Sequence, residues 1–535
     1  MTAITLLIGA CVIITCILLN KISTKLGVPV LLAFIGIGML FGSDGILKIP
    51  FDNYKVAEQV CSIALIFIMF YGGFGTNWNH AKSVAGKAIG LSTLGVILTA
   101  AFTGLFCNLV LRFGLLESFL IGSVLSCTDA ASVFSILRSK KLNLKNGSAS
   151  ILEIESGSND PCAYMLVIII LSIMNGQSSL GSLSYLIFAQ IFFGTIFAVI
   201  IAFLALYMLR HFPFTTEGFD AAFVLAIALL SFALPTILGG NGYLSAYIVG
   251  IILGNQKFHN KKALVHFLDG ITGLMQMLIF FLLGLLAFPS QFPMILLSSI
   301  VIALFLTFLA RPLAVFIVLA PAKFSFKQKL LISWSGLRGA SSIVFAIMIT
   351  VNQAHTENDV YHVVFFIVLL SIGFQGTLLP LVANKLNMID NDSNVLKTFN
   401  DYVEESEVQF IRLLLEKKHP WINQPIKDIL LPPETLLAML IREEKIIIPK
   451  GNTTIMDGDL VILSAPSFHD KHNIQLSEIQ ITQEDAWIGK PIKAISMPAK
   501  SLIIMIKRNG RVIIPNGNTK IKQNDVLVIN SAAFL

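Results

Sequence analysis

Three stretches of this chain carry polar chemistry inside otherwise apolar sequence. The first is Glu153-Ile154-Glu155-Ser156-Gly157-Ser158-Asn159-Asp160-Pro161. Glu155 and Asn159 are four apart, as are Ser156 and Asp160, so each pair stacks along one edge of a helix. Pro161 brings no N–H, which leaves the carbonyl of Gly157 without its helical partner and open to water or a cation. Carboxylate, hydroxyl, amide and bare carbonyl oxygens in one turn suit a hard monovalent cation. No thiolate or imidazole cluster accompanies them, which argues against a transition metal. The second stretch, Ser126-Cys127-Thr128-Asp129-Ala130-Ala131-Ser132, and the third, Gly336-Leu337-Arg338-Gly339-Ala340-Ser341-Ser342, mix small and short polar residues. Such residues compete for backbone hydrogen bonds, so each predicts a break in a helix.

The elements that must hold these stretches are membrane helices. The chain has 535 residues, 55% of them hydrophobic and 13% charged, with 40 Phe; an ordinary soluble protein carries about 25% charge. A spanning helix needs roughly 17–25 apolar residues. That rule reads about thirteen spans between residues 4 and 383, the second (Val28–Phe41) and ninth (Tyr243–Leu253) being short. Alternate loops carry Lys21 and Lys25; Lys82; Arg138, Lys140, Lys141 and Lys145; Arg210; Lys257, Lys261 and Lys262; then Lys323, Lys327 and Lys329. This positive-inside alternation places the N-terminus outside and the C-terminal tail in the cytoplasm, and it accounts for the net charge of +7 without nucleic acid. The first apolar run has no preceding Lys or Arg and reads as a span, not a signal peptide. The six cysteines sit in apolar runs and read as small core residues.

If spans one to six and eight to thirteen are two halves, the breaks at Thr128-Asp129 and Arg338 fall on the fifth element of each. Interrupted helices at matching places in inverted repeats are the sequence mark of a transporter's central site. An ionisable group at the bilayer centre costs on the order of 2.5–3.5 kcal/mol, so Asp129, Glu155, Asp160 and Arg338 together need a reason beyond stability. Arg338 is expected to neutralise Glu155. Glu153 reads as a solvated mouth residue, and Arg311, before Pro312, as an interior packing or snorkelling residue. A gated channel would need a repeated pore loop, an organic-anion carrier would not centre on three acids, and an enzyme would need a nucleophile–base pair or a metal set. None of these patterns is present, and no enzymatic activity is expected.

Residues 385–406 read as a polar linker, and a duplication follows it. Trp421-Ile422-x-x-Pro425-Ile426-Lys427 recurs as Trp487-Ile488-x-x-Pro491-Ile492-Lys493, and Ile447-Ile448-Pro449-x-Gly451-Asn452-Thr453 as Ile513-Ile514-Pro515-x-Gly517-Asn518-Thr519, at a constant offset of 66. Asp459 likewise matches Asp525. Two small α+β modules are expected, at 407–466 and 474–535, following a transmembrane domain at 1–384. The tail has no Gly-x-Gly-x-x-Gly segment of the dinucleotide-binding kind.

The run Thr128-Asp129-Ala130-Ala131-Ser132-Val133-Phe134, the run Glu155 to Pro161 and Gly336-Leu337-Arg338-Gly339-Ala340 resemble the core motifs of the monovalent cation:proton antiporter-1 family, nearest to its NhaP-type and CvrA-type potassium/proton members. The tail copies are similar to RCK-C (TrkA-C) modules. The resemblance implies a thirteen-span homodimer of the bacterial inner membrane with an NhaA/NhaP-like fold and an elevator-like motion. It implies that Asp160 binds the cation, with Ser156, Glu155, Asp129 and the Thr128 backbone nearby, and that Glu155 pairs with Arg338. Asn159 beside Asp160 is similar to the electroneutral members. Ser342 departs from the Pro that many relatives carry. The implied substrate is K⁺, or Na⁺, against H⁺, with no cofactor, a lipid surround, and a regulatory ligand such as cyclic di-AMP on the tail.

Overall fold

A computed structural model describes residues 3–26, 29–129, 132–133, 136–137, 142–176, 179–211, 218–256, 258, 261–322, 324–352, 356–390, 408–415, 419–432, 435–442, 445–466, 475–481, 485, 487–495, 501–508, 511–513 and 515–531. Residues 391–406 of the linker, Ala130, Ala131 and Phe134 of the fifth span, and the basic loop residues Arg138, Lys140, Lys141, Lys257 and Lys323 lie outside them. The chain forms two compact units, Met1–Tyr402 and Val403–Leu535.

The first unit is helical: α1 (Ala3–Leu26), α2 (Val30–Phe41), α3 (Tyr54–Gly75), α4 (Ala85–Leu109), α5 (Leu115–Val124), α6 (Ser148–Met174), α7 (Leu180–His211), α8 (Phe219–Ile237), α9 (Gly242–Gly254), α10 (Lys261–Leu285), α11 (Pro289–Val318), α12 (Phe326–Trp334), α13 (Ala340–Val351) and α14 (Val360–Lys385). Among the described residues eight helices are long and apolar enough to cross a membrane. Five shorter apolar helices fall on the remaining runs read as spans. Two of these, α2 and α9, are the runs the sequence marks as short; two more, α5 and α13, are short because their spans are interrupted. Pro161 sits inside α6 without ending it.

Two groups of helices result. In one, α3 packs on α9 and α10, α10 on α2, and α7 and α8 on α9; in the other, α4 packs on α5 and α6, and α14 on α11 and α13. Backbones in the first group nearly touch: a Cβ on Gly250 of α9 would lie 2.2 Å from the Phe70 carbonyl oxygen of α3. Without a hydrophobic drive between helices in lipid, such close approach supplies the packing. The groups meet where α6 and α13 lie against α3 and α9. Short π-helical turns at Leu91–Gly95, Leu306–Ala310 and Ser371–Gly376 shift the helical phase of α4, α11 and α14. A short antiparallel pair, β1 (Asn143–Leu144) with β2 (Ile389–Asp390), closes the unit's last segment onto the loop before α6.

The second unit repeats one four-stranded antiparallel sheet. The strands are β3 (Val408–Leu414), β4 (Leu436–Arg442), β5 (Lys445–Ile447) and β6 (Leu460–Pro466), in the order β3-β6-β4-β5. Then β7 (Gln475–Gln480), β8 (Ser501–Arg508), β9 (Arg511–Ile513) and β10 (Val526–Ser531) follow in the matching order β7-β10-β8-β9. Each sheet has its own small core, around Leu440 and Val461 and around Ile506 and Leu527. The helical part of the α+β expectation reduces, among the described residues, to one 3₁₀ turn per module, Ile426–Asp428 and Ile492–Ala494. Pro425 and Pro491 open these turns, and the next residues return at once to extended backbone.

A repeated buried ion pair ties each module. Arg442 donates to both carboxylate oxygens of Asp459 at 2.7 Å, and Arg508 does the same to Asp525 at 2.7 Å. Burial alone would raise the Asp459 carboxyl, but hydrogen bonds from Arg442 and the Met456 amide, with the Arg442 charge, hold it below the ordinary value. At Asp525, Arg508 and the Lys522 amide overcome burial in the same way.

Candidate cation-binding site

The two predicted breaks occur and meet. The fifth span is helical to Val124 and unwound from Cys127 to Asp129; the twelfth is unwound from Gly336 to Gly339, between α12 and α13. The Asp129 amide donates to the Leu337 carbonyl at 2.8 Å, so each unwound segment satisfies part of the other's backbone. Arg338 completes the crossing. Its guanidinium donates to the Ser126 and Cys127 carbonyls at 3.1 and 2.6 Å, and its own amide donates to Ser371 Oγ at 3.0 Å. Gly339 must be glycine here, because a Cβ would lie 2.0 Å from Asp129 Oδ2. Ser342, in place of the relatives' Pro, leaves α13 helical from Ala340 and lies 3.2 Å from Cys127 Sγ.

Against this crossing lies the polar turn of α6. Asn159 Nδ2 donates to Thr128 Oγ1 at 2.5 Å, and Thr128 Oγ1 shares a hydrogen bond with Ser156 Oγ at 3.0 Å. Asp160, 2% exposed, accepts from Ser341 Oγ at the start of α13 through Oδ2. Its Oδ1 has no hydrogen-bond partner among the described residues, and neither has Asn159 Oδ1. A buried carboxylate oxygen left open costs free energy unless a proton or cation takes it. One wall of the site is fixed by Asn241 at the head of α9, which donates to the Pro161 carbonyl at 2.8 Å.

Glu155 is paired differently from the expectation, while Asp129 lies close to Asp160 and also has a local capping role. Glu155 is ion-paired with Arg311 of α11, through Arg311 Nη2 and Glu155 Oε1, and both side chains are fully buried. Arg338, the expected partner, is drawn instead to the carbonyls that the break in the fifth span sets free. Arg311 follows directly on the π turn of α11, which sets its phase toward α6. Asp129 caps the helical residues that follow it, accepting from Ser132 Oγ at 2.6 Å and the Ser132 amide at 3.3 Å. Glu153 is buried, not solvated at a mouth, because α6 begins five residues before it.

Ser341 and Arg311 are the site residues that the motif reading left unassigned. The available signals were a buried arginine in a span without other charge, and a hydroxyl two residues past the Arg338 break. Cys127 lies beside Asp160 as a free thiol; of the other cysteines, Cys11 alone is exposed.

The family model for the transmembrane part of sodium/hydrogen exchangers matches residues 11–385. The chain belongs to that family. TrkA-C domains match at 410–467 and 476–531, one per sheet. Curated relatives include the K(+)/H(+) antiporter NhaP2 of Shewanella sp. (strain MR-4), 34% identical over 85% of this chain and 80% of the relative. The K(+)/H(+) antiporter NhaP of Alkalimonas amylolytica is 34% identical over 86% and 80%. Among solved structures, the sodium proton antiporter MjNhaP1 from Methanocaldococcus jannaschii superposes with a TM-score of 0.63 at 25% identity, covering 70% of this chain and all of that one. The multi-pass helical fold is therefore that of this family, whose members are transporters and not enzymes.

Proposed function

We propose that this chain is a secondary antiporter exchanging a monovalent cation for a proton, with Asp160 as the carboxylate both ligands share. The carrying observation is Asp160 Oδ1, buried and without a hydrogen-bond partner among the described residues, at the crossing of two interrupted helices. Asp160, with the hydroxyls of Thr128 and Ser156 and the Asn159 amide oxygen, supplies oxygen ligands to a hard cation. Glu155, held by Arg311, and Asp129, held as a helix cap, set the field and the geometry around it. Moving a bare carboxylate across an apolar barrier is costly, so only the loaded forms, with proton or with cation, should cross. One carboxylate beside a neutral Asn159 gives one cation for one proton.

K⁺ is the favoured substrate, because the relatives matching over most of the chain are named K(+)/H(+) antiporters. Na⁺ is the second reading, from the fold likeness to a sodium proton antiporter. We further assign the chain a homodimer in the bacterial inner membrane, N-terminus outside, with the TrkA-C pair in the cytoplasm gating transport by a small ligand.

Purified protein in liposomes, given K⁺, Na⁺ or Li⁺ under imposed pH gradients, tests the reading. Asp160→Asn should abolish cation-dependent proton movement; residual exchange in that variant would remove Asp160 from the role. A rate that depends on membrane voltage would count against one-for-one stoichiometry. Deleting the residues after Ser406 should change ion or pH dependence if the tail gates.

A further inference from the structure

Asp160 is bracketed along α9 by two tyrosines one helical turn apart. Tyr243 packs edge-on against Tyr164 of α6 at 5.1 Å and near Phe345 of α13 at 6.1 Å, on the side of Asp160 toward the end of α6. Tyr247 lies on the other side, toward the start of α6, and is seated on Gly157. A Cβ at position 157 would lie 2.5 Å from Tyr247 Cε2 and 2.9 Å from both Cζ and the hydroxyl oxygen. The Tyr247 ring therefore occupies the space that any other residue at 157 would fill, directly beneath the turn that carries Asn159 and Asp160. Tyr247 is 3% exposed. Its hydroxyl is within reach of the Thr76 side chain just past α3, and Glu153 of α6 lies near it.

Tyr247 also belongs to the group containing α3 and α9, whereas Gly157 belongs to the group containing α4, α5 and α6. The contact crosses the boundary along which the two groups would have to slide.

We propose that Tyr247 is the positioning residue that seals the Asp160 site from the membrane face where α6 begins, with Gly157 as the notch into which its ring locks. This rests on Asp160 being the exchange site. Opening that face requires the Tyr247 ring to leave Gly157, and the ring then uncovers a path from Glu153 to Asp160.

Cys127, beside Asp160, reports on this path. In full-length protein whose other five cysteines are replaced by serine, the rate at which a small membrane-impermeant methanethiosulfonate labels Cys127 is measured from each side of sealed vesicles. Tyr247→Ala should speed labelling about 10-fold or more from one side only, by the area of ring removed from the barrier. Tyr247→Phe keeps the ring and should restore labelling to the parent's rate or below. Alanine is a better helix former than glycine, so faster labelling in Gly157→Ala can only come from displacing the ring, and this variant decides the matter should Tyr247→Ala not reach the membrane. Labelling of Cys127 at the parent's rate in Tyr247→Ala, or in Gly157→Ala, would overturn the seal. Exchange retained by Asp160→Asn would instead remove the site assignment, while the labelling rates still report whether Tyr247 closes the path.

Discussion

Replacing Arg311 by glutamine should be among the most damaging single changes in the helical unit. Glu155 is fully buried, its Oε1 is held by Arg311, and its Oε2 has no hydrogen-bond partner among the described residues. Without Arg311 neither oxygen of a buried carboxylate is compensated, a change that typically costs about 3–5 kcal/mol. At the roughly 2 °C per kcal/mol of a large domain, the thermal midpoint of the purified protein should fall by about 6–10 °C. Glu155→Gln with Arg311→Gln removes both charges, and most of that loss should return. A double-mutant cycle should then give a coupling of about 2–3 kcal/mol between Glu155 and Arg311. The same cycle between Glu155 and Arg338 should give less than about 1 kcal/mol, because Arg338 is bound to the Ser126 and Cys127 carbonyls. Fluorescence-detected unfolding of the four proteins in each cycle provides the numbers. A larger coupling to Arg338 than to Arg311 would refute the pairing and return Glu155 to the partner that the motifs implied.

Three further outcomes follow from other contacts. Ser341→Ala removes the hydroxyl that donates to Asp160; at a typical about 1.5–3 kcal/mol for a hydrogen bond to a charged group, the cation concentration for half-maximal exchange should rise about 10-fold or more. Unchanged half-saturation in proteoliposomes would detach Ser341 from the site. In the tail, Arg442→Ala strands the buried Asp459; because the Arg442 side chain is 26% exposed, a loss of about 2–4 kcal/mol in the first module is expected, below that of a fully enclosed pair. The Asp459 and Asp525 carboxyls are held below their unfolded value of about 3.9, so this stabilisation is fully present above that pH and is lost as pH falls through the lower folded values. Circular dichroism of the sheets against pH should therefore be flat near neutrality and fall in acid, and the part of that fall due to Asp459 should be lost in the already weakened Arg442→Ala module.

Much of the molecule is written in local sequence. Apolar runs of spanning length, the alternation of basic loops and the small polar residues at Thr128-Asp129 and Gly336 to Gly339 follow from what a bilayer demands of each segment by itself. The duplicated tail is legible for the same reason: Trp421 and Trp487, and Asp459 and Asp525, stand at one offset, and each copy folds into the same sheet order with the same Arg–Asp pair. The Asp160 turn, with hydroxyl and amide one helical turn apart, is also a local pattern.

What only the tertiary structure decided is which distant groups meet. Arg311 and Arg338 are both lone arginines in apolar spans, and nothing local distinguishes which one faces Glu155. The choice depends on the rotation of α11, reset by the π turn before Arg311, and on the carbonyls that the fifth span leaves free for Arg338. Ser341 reaches Asp160, and Tyr247 fills the Gly157 notch, through the register of one helix against another. In lipid, hydrophobicity tells a helix that it must span but not which face to turn toward its neighbours. That orientation is set by close packing and a few polar contacts between residues far apart in the chain.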